Sequence, residues 1–244
     1  GTFCAYVQGE EVHPLTYLPM MRPDEAYSAE FSQDKVSFYH NALQVQCGME
    51  VSVKGSLPCE IRRIAVKSRE PGRIVIYTGP VLSALKDYLA HPAFSKLFLN
   101  IRYLPEENIF ICSRKSRHSD DTLYMACGFV QDDIHFSFCL NRERVLASAR
   151  FGERPVQAAL SFELQGQDET AVPDPCIWLS VPTQPGKTEL SFFTCTARSE
   201  EEVLRGVKQA RRPTAMEKAA LTQSPLRYDS VGGRLATAIL PQIL

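Results

Sequence analysis

The sequence predicts a mainly β fold, a large antiparallel β-sandwich followed by short helices. Three observations carry this reading. Apolar residues recur at every second position through Leu43, Val45, Cys47, Met49, Val51 and Val53, the period that puts one strand face on a core and the other in water. About ten such runs, rich in Val, Ile, Phe and Tyr, are separated by turn residues, as in a sandwich. No strand–helix–strand alternation, G-x-G-x-x-G or P-loop occurs, which excludes a nucleotide-binding α/β fold.

The elements follow in order. Before Tyr39 the turn signals His13-Pro14, Leu18-Pro19 and Arg22-Pro23-Asp24 predict irregular chain. The alternating run is the first strand, and Lys54-Gly55-Ser56 closes it. In Cys59-Glu60-Ile61-Arg62-Arg63-Ile64-Ala65-Val66 the apolar phase slips between Ile61 and Ile64, which predicts a β-bulge. Glu70-Pro71-Gly72 turns the chain into a strand through Ile74, Ile76 and Thr78. Strands over 97–103 and 109–112 flank Pro105-Glu106-Glu107-Asn108 as a hairpin. The charged stretch 114–121 reads as an exposed loop. Strands over 123–130 and 134–140 flank Gln131-Asp132-Asp133 as a second hairpin, with Ile134, Phe136, Phe138 and Leu140 on one face and His135 on the other. Leu160, Phe162 and Leu164 alternate as a further strand before a polar loop over 166–170. Strands over 176–181 and 190–197, joined by Gln184-Pro185-Gly186-Lys187, complete the set.

Helix signals are confined to the end. Ser199-Glu200-Glu201-Glu202 is a capping box, in which the hydroxyl accepts from the third backbone N–H and the glutamate reaches back. Val203, Leu204 and Val207 supply an apolar stripe, and Lys208, Arg211 and Arg212 suit the carboxyl end of the dipole. Pro213 stops this helix. Thr214-Ala215-Met216-Glu217 opens a second helix, and 234–240 is a third helical run. The chain therefore divides into a sandwich domain over 1–197 and a helical linker over 198–244.

Composition narrows the partners. The chain has 244 residues, 44% hydrophobic and 23% charged, with a formal net charge of −1. That balance excludes nucleic acid or an anionic membrane as an obligatory partner. No apolar run approaches the ~20 residues of a spanning helix, and no secretory leader opens the chain. The eight cysteines form no C-x-x-C pair, so no zinc or redox motif is supported and no metal site is nominated. They read as small buried hydrophobes, kept reduced in a cytoplasmic protein, while their even count leaves a disulfide framework formally open. The chain opens on Gly1 without Met and closes at Leu244 on an apolar run without a cap. It is expected to be a piece of a longer polypeptide.

One stretch stands out chemically, Leu89 to Leu99. Pro92 holds His91 extended, so Ala90-His91-Pro92-Ala93 is a rigid turn feeding a strand. His91, Phe94, Ser95 and Lys96 are the candidate substrate- or domain-interface residues. The structural alternative has His91 capping the turn and Phe94 plugging the core. No catalytic residue is nominated, because the carboxylates Asp120, Asp121, Asp132 and Asp133 fall in loops. Trp178 lies in an apolar run and is expected in the core rather than under a sugar ring.

The segments A-H-P-A-F-S-K-L-F (90–98), C-E-I-R-R-I (59–64) and G-P-V-L (79–82) resemble the β-sandwich domain of glycoside hydrolase family 94. The cyclic β-1,2-glucan synthases and 1,2-β-oligoglucan phosphorylases are the members it most resembles. The resemblance implies a galactose-mutarotase-like supersandwich, then linker helices that lead into a helical (α/α)6 barrel holding the catalytic aspartate and the phosphate site. It implies that this segment alone is not catalytic and that no cofactor is needed, with inorganic phosphate a substrate of a phosphorylase parent. The implied partners are that barrel and a β-glucan oligosaccharide, in a parent that could be a homodimer. Two rival readings remain. One is a free-standing carbohydrate-binding module. The other is an aldose mutarotase-like epimerase drawing on His91, His135 and Glu163, whose spacing matches no mutarotase motif.

Overall fold

Two β-sheets face each other across one apolar layer. The structure is a computed structural model that describes residues 1–16, 27–42, 44–54, 58–83, 85–90, 98–115, 121–146, 159–160, 162–169 and 174–212. The six-stranded sheet runs β12 (Gln167–Asp168), β11 (Ser137–Asn141), β13 (Pro175–Thr183), β7 (Gly72–Thr78), β1 (Thr2–Gln8), β2 (Glu11–Pro14). The eight-stranded sheet runs β3 (Tyr27–Phe31), β4 (Lys35–Asn41), β5 (Val45–Lys54), β6 (Cys59–Ser68), β14 (Gly186–Ala197), β10 (Thr122–Phe129), β9 (Ile109–Lys115), β8 (Leu99–Leu104). All neighbours are antiparallel except β11 and β12. Among the described residues helices are few, and they are not confined to the end as the sequence signals predict: α1 (Leu85–Ala90) and α2 (Arg142–Leu146) fall within the sandwich segment, ahead of α3 (Glu200–Arg211). The mainly β sandwich with short helices is therefore the fold observed.

The layer between the sheets holds Tyr6, Ile74, Ile76, Ile177 and Leu179 from one side and Met49, Ile64, Phe110, Phe129 and Phe192 from the other. Each outer face is covered in part. Ala5, Val75, Tyr77 and Trp178 on the far side of the six-stranded sheet pack under Val145, Ala159 and Leu160. Ile61, Ile111, Phe193 and Cys195 on the far side of the eight-stranded sheet pack under α3. Strands β7 and β13 are consequently buried on both faces, and their apolar runs are continuous rather than alternating.

Four readings are corrected by the tertiary structure. Among the described residues, the chain before Tyr39 is not irregular but holds β1, β2, β3 and most of β4; Leu18-Pro19 and Arg22-Pro23-Asp24 lie outside the described residues. Gly9, at φ 57°, makes the tight β1–β2 turn that the Pro-rich spacing hides. No bulge interrupts β6, whose register runs unbroken against both β5 and β14. The apolar phase slips because Cys59 and Ile61 face α3 while Ile64 and Val66 face the sandwich layer. Gln131-Asp132-Asp133 is not a hairpin loop. It carries the chain from β10 in one sheet to β11 in the other, and Gln131 is tied to β14 where Ser191 N donates to its Oε1 at 3.0 Å. Leu160, Phe162 and Leu164 form no strand; they cover the six-stranded sheet, with Phe162 edge-on to Trp178. An apolar cover and an edge strand can share a period of two, and only the packing separates them.

Candidate functional site

The outer face of the eight-stranded sheet is divided into a helix-covered half and an open half. The covered half begins at Ser199, whose side chain accepts from Glu202 N at 3.2 Å and caps α3. Glu200, Glu201 and Glu202 follow in the first turn, where the helix dipole favours anions. Val203, Val207 and Ala210 then fall on one stripe and bury against Ile61, Ile109, Ile111, Ala126 and Phe193. Both ends of the helix are tied down. Arg102 of β8 pairs with Glu200. Arg211 donates to Glu107 O at 2.8 Å and Phe129 O at 3.2 Å, approaches Asp132 at 3.2 Å, and stands 5.8 Å from the Phe193 ring. The last helical residue described is thus fastened to two loops of the sandwich.

The open half is a polar trough of about 460 Å³. Its floor is made by small residues, Gly48 and Ala65, on β5 and β6. Tyr39, directly opposite Gly48 on β4, leans over it and is 38% exposed. Glu50 lies at the centre, its two oxygens accepting from Lys35 at 2.6 Å and Arg63 at 3.0 Å. The hydrogen bond to Glu50 holds the Lys35 ammonium above the usual lysine range. Gln131, Glu189 and Ser191 border the far side. An aromatic face beside planar polar groups suits a polyhydroxylated ligand or the polar surface of another domain. It does not suit acid catalysis, since the central carboxylate is clamped between two cations and the other lining carboxylate, Glu189, is exposed and paired with Lys187 at 2.6 Å.

The family model of the glycosyl hydrolase 94 supersandwich domain matches residues 3–213. The chain belongs to that family. No curated protein matches the sequence. Among solved structures, a bacterial glucoamylase complexed with acarbose is similar over 86% of this chain and 28% of its own, with 7% identity and a TM-score of 0.55. That likeness shows a shared fold, and this chain spans under a third of the glucoamylase. The polysaccharide lyase BACCELL_00875 is similar over 86% of this chain and 27% of its own, with 11% identity and a TM-score of 0.40, too low to argue from.

Within this supersandwich domain the segment Cys59–Ile64 does three structural jobs. Cys59 and Ile61 support α3. Glu60 accepts from Arg62 Nε at 2.7 Å, and this pair lies beside the Cys4 thiol, which burial pushes up to about 11. Arg63 turns outward to the trough. In Gly79–Leu82, Leu82 is buried and its carbonyl accepts from Arg114 at 2.9 Å. His91, Phe94, Ser95 and Lys96 lie outside the described residues, as do the helical readings after Pro213.

Trp178 is fully buried and donates to Ala159 O at 2.8 Å, a core residue as expected. Glu163 pairs with Arg73 at 2.8 Å, whereas His135 is exposed and borders a pocket of about 510 Å³ with Tyr103, Asn108, Asp132 and Gln167. Two histidines escaped the sequence reading. His13 on β2 and His40 on β4 are buried, with Nδ1 and Nε2 3.4 Å apart, and they bridge the two sheets. His13-Pro14 looked like a turn, and nothing in the local pattern links positions 13 and 40.

Proposed function

We propose that this supersandwich domain is the non-catalytic sandwich of a β-glucan-active enzyme, a phosphorylase or a cyclic β-1,2-glucan synthase, and that it supports an (α/α)6 catalytic barrel. The observation that carries this reading is the family match, which spans both sheets and α3 and ends just past the helix. The anchoring of α3 by Arg102 and Arg211 supports it, because a rigidly seated terminal helix sets the direction in which any following domain is attached. The stretch with His91, Phe94, Ser95 and Lys96 then meets the barrel or its substrate, in a cytoplasmic enzyme that uses inorganic phosphate if it is a phosphorylase.

The open trough favours a second reading, in which the domain itself holds part of a glucan chain. Tyr39 over Gly48, next to Glu50 and Arg63, is the arrangement that favours it.

The test compares the domain alone with a polypeptide that carries it together with the barrel, on β-1,2-glucan with inorganic phosphate. Sugar 1-phosphate or cyclised glucan from the longer protein only is the expected result. Turnover by the domain alone would overturn the non-catalytic assignment. Titration of the domain with β-1,2-oligoglucan decides the second reading: saturable binding that is lost in Tyr39→Ala supports it, and no binding removes it.

A further inference from the structure

We propose that Cys59 and Cys195 form a reversible, oxidation-dependent disulfide at the seat of helix α3, a modification site separate from any glucan chemistry. The two residues are direct cross-strand partners of β6 and β14. Thr196 N donates to Pro58 O at 2.9 Å, which makes Cys59 and Cys195 a non-hydrogen-bonded pair, the antiparallel position where facing Cα atoms come closest and side chains meet. Both side chains point to the α3 side, and their Sγ atoms are 2.8 Å apart. Opposed Cα atoms at that spacing, about 4.5 Å, lie within the range a disulfide spans.

The other neighbouring cysteines do not share this geometry. Cys112 faces Met125, so Cys127 is its diagonal neighbour. Cys139 faces Trp178, so Cys176 is likewise diagonal. Diagonal cross-strand positions sit about 7–8 Å apart, beyond easy bridging. Only one pair of described cysteines is directly opposed.

The pair is also reachable in a way its burial conceals. Cys59 and Cys195 line a cavity of about 430 Å³ between the sheet and the helix, whose walls include Arg198, Glu202, Arg205 and Gln209. A small oxidant such as hydrogen peroxide supplies the balance. One thiolate attacks an O–O bond, giving a sulfenic acid and, after protonation, one water. The second thiol then displaces hydroxide from that sulfur and forms the S–S bond, its proton leaving with the hydroxide as a second water. Two thiols are oxidised and one peroxide is reduced. Reduction by a dithiol reverses it. The bond would pin β6 to β14 directly beneath Gly206, where a Cβ would lie 3.5 Å from the Cys195 Cβ.

The experiment oxidises the native protein with hydrogen peroxide, blocks remaining thiols with a maleimide after unfolding, and maps the peptides by mass spectrometry without reduction. The expected product is a Cys59–Cys195 linked peptide, lost on dithiothreitol treatment, formed about tenfold faster than modification of any other cysteine. Cys59→Ser and Cys195→Ser each abolish it, and oxidised wild type melts higher than reduced wild type while these variants show no such difference. Recovery of Cys59 and Cys195 as free thiols when other cysteines have reacted would overturn the proposal. So would linkage that appears only in unfolded protein, a result that needs no variant to fold.

Discussion

At the level of single residues, this domain is governed by close approach and by burial. Gly72 shows the first. A Cβ there would lie 2.3 Å from Tyr6 Oη and 2.7 Å from Val7 O, so what reads as a turn glycine is also the gap that lets Tyr6 lie fully buried against β7. The cysteines show the second. Burial raises Cys47 and Cys127 from the ordinary 9.0 to about 12, and Cys4 to about 11. A thiol with a raised folded pKa holds its proton more tightly in the native state, so its stabilising effect is complete below about pH 9 and drains away as pH climbs towards 11–12. Across that window each such thiol lowers stability by about 1.4 kcal/mol per pH unit. Urea unfolding at a series of pH values should therefore show a midpoint that falls above about pH 9, and less steeply in Cys47→Val and Cys127→Val. A slope indifferent to both substitutions would contradict this account.

At the level of elements, α3 is the informative one. Its residues alone would make a marginal helix of 12 positions; the stripe against Ile61, Ile111 and Phe193 stabilises it in place. Gly206 sits within the helix and faces Cys195, where a Cβ would lie 3.5 Å from the Cys195 Cβ and 3.7 Å from its Sγ. Those are ordinary van der Waals separations, so the glycine is not needed for clearance. Gly206→Ala should raise stability by about 0.5–1 kcal/mol through helix propensity. Denaturant titration measures it, and a loss of stability would mean that α3 must shift against the sheet.

At the level of the whole molecule, the helix belongs physically to the sandwich it follows. Removing it would bare Ile61, Ile109, Ile111 and Phe193, a contiguous apolar surface of the kind that drives association. A chain ending at Pro213 should therefore melt within a few degrees of the full chain and be more soluble. One ending at Ala197 should lose several degrees of melting temperature, as a loss of about 1–3 kcal/mol would cause, and should aggregate. Equal melting of the two truncations would show that α3 contributes nothing to the fold.

Sequence by itself determined the fold class, the helix α3 and its cap, and the fate of Trp178. Each is a local signal: alternation in Val45–Val53, a serine three residues before a glutamate, an indole within a continuous apolar run. The motif Cys59–Ile64 was also visible as distinctive, but not what it does. Only the tertiary structure decided that its slipped phase reflects two covers on opposite faces, that β10 and β11 belong to different sheets, and that Cys59 meets Cys195 across 136 positions. The polar trough was illegible for the same reason. Tyr39, Gly48, Arg63 and Ser191 come from four strands and meet only in register. Periodicity reports which side of a strand is dry, whereas pairing across sheets depends on chain crossings that no local pattern encodes.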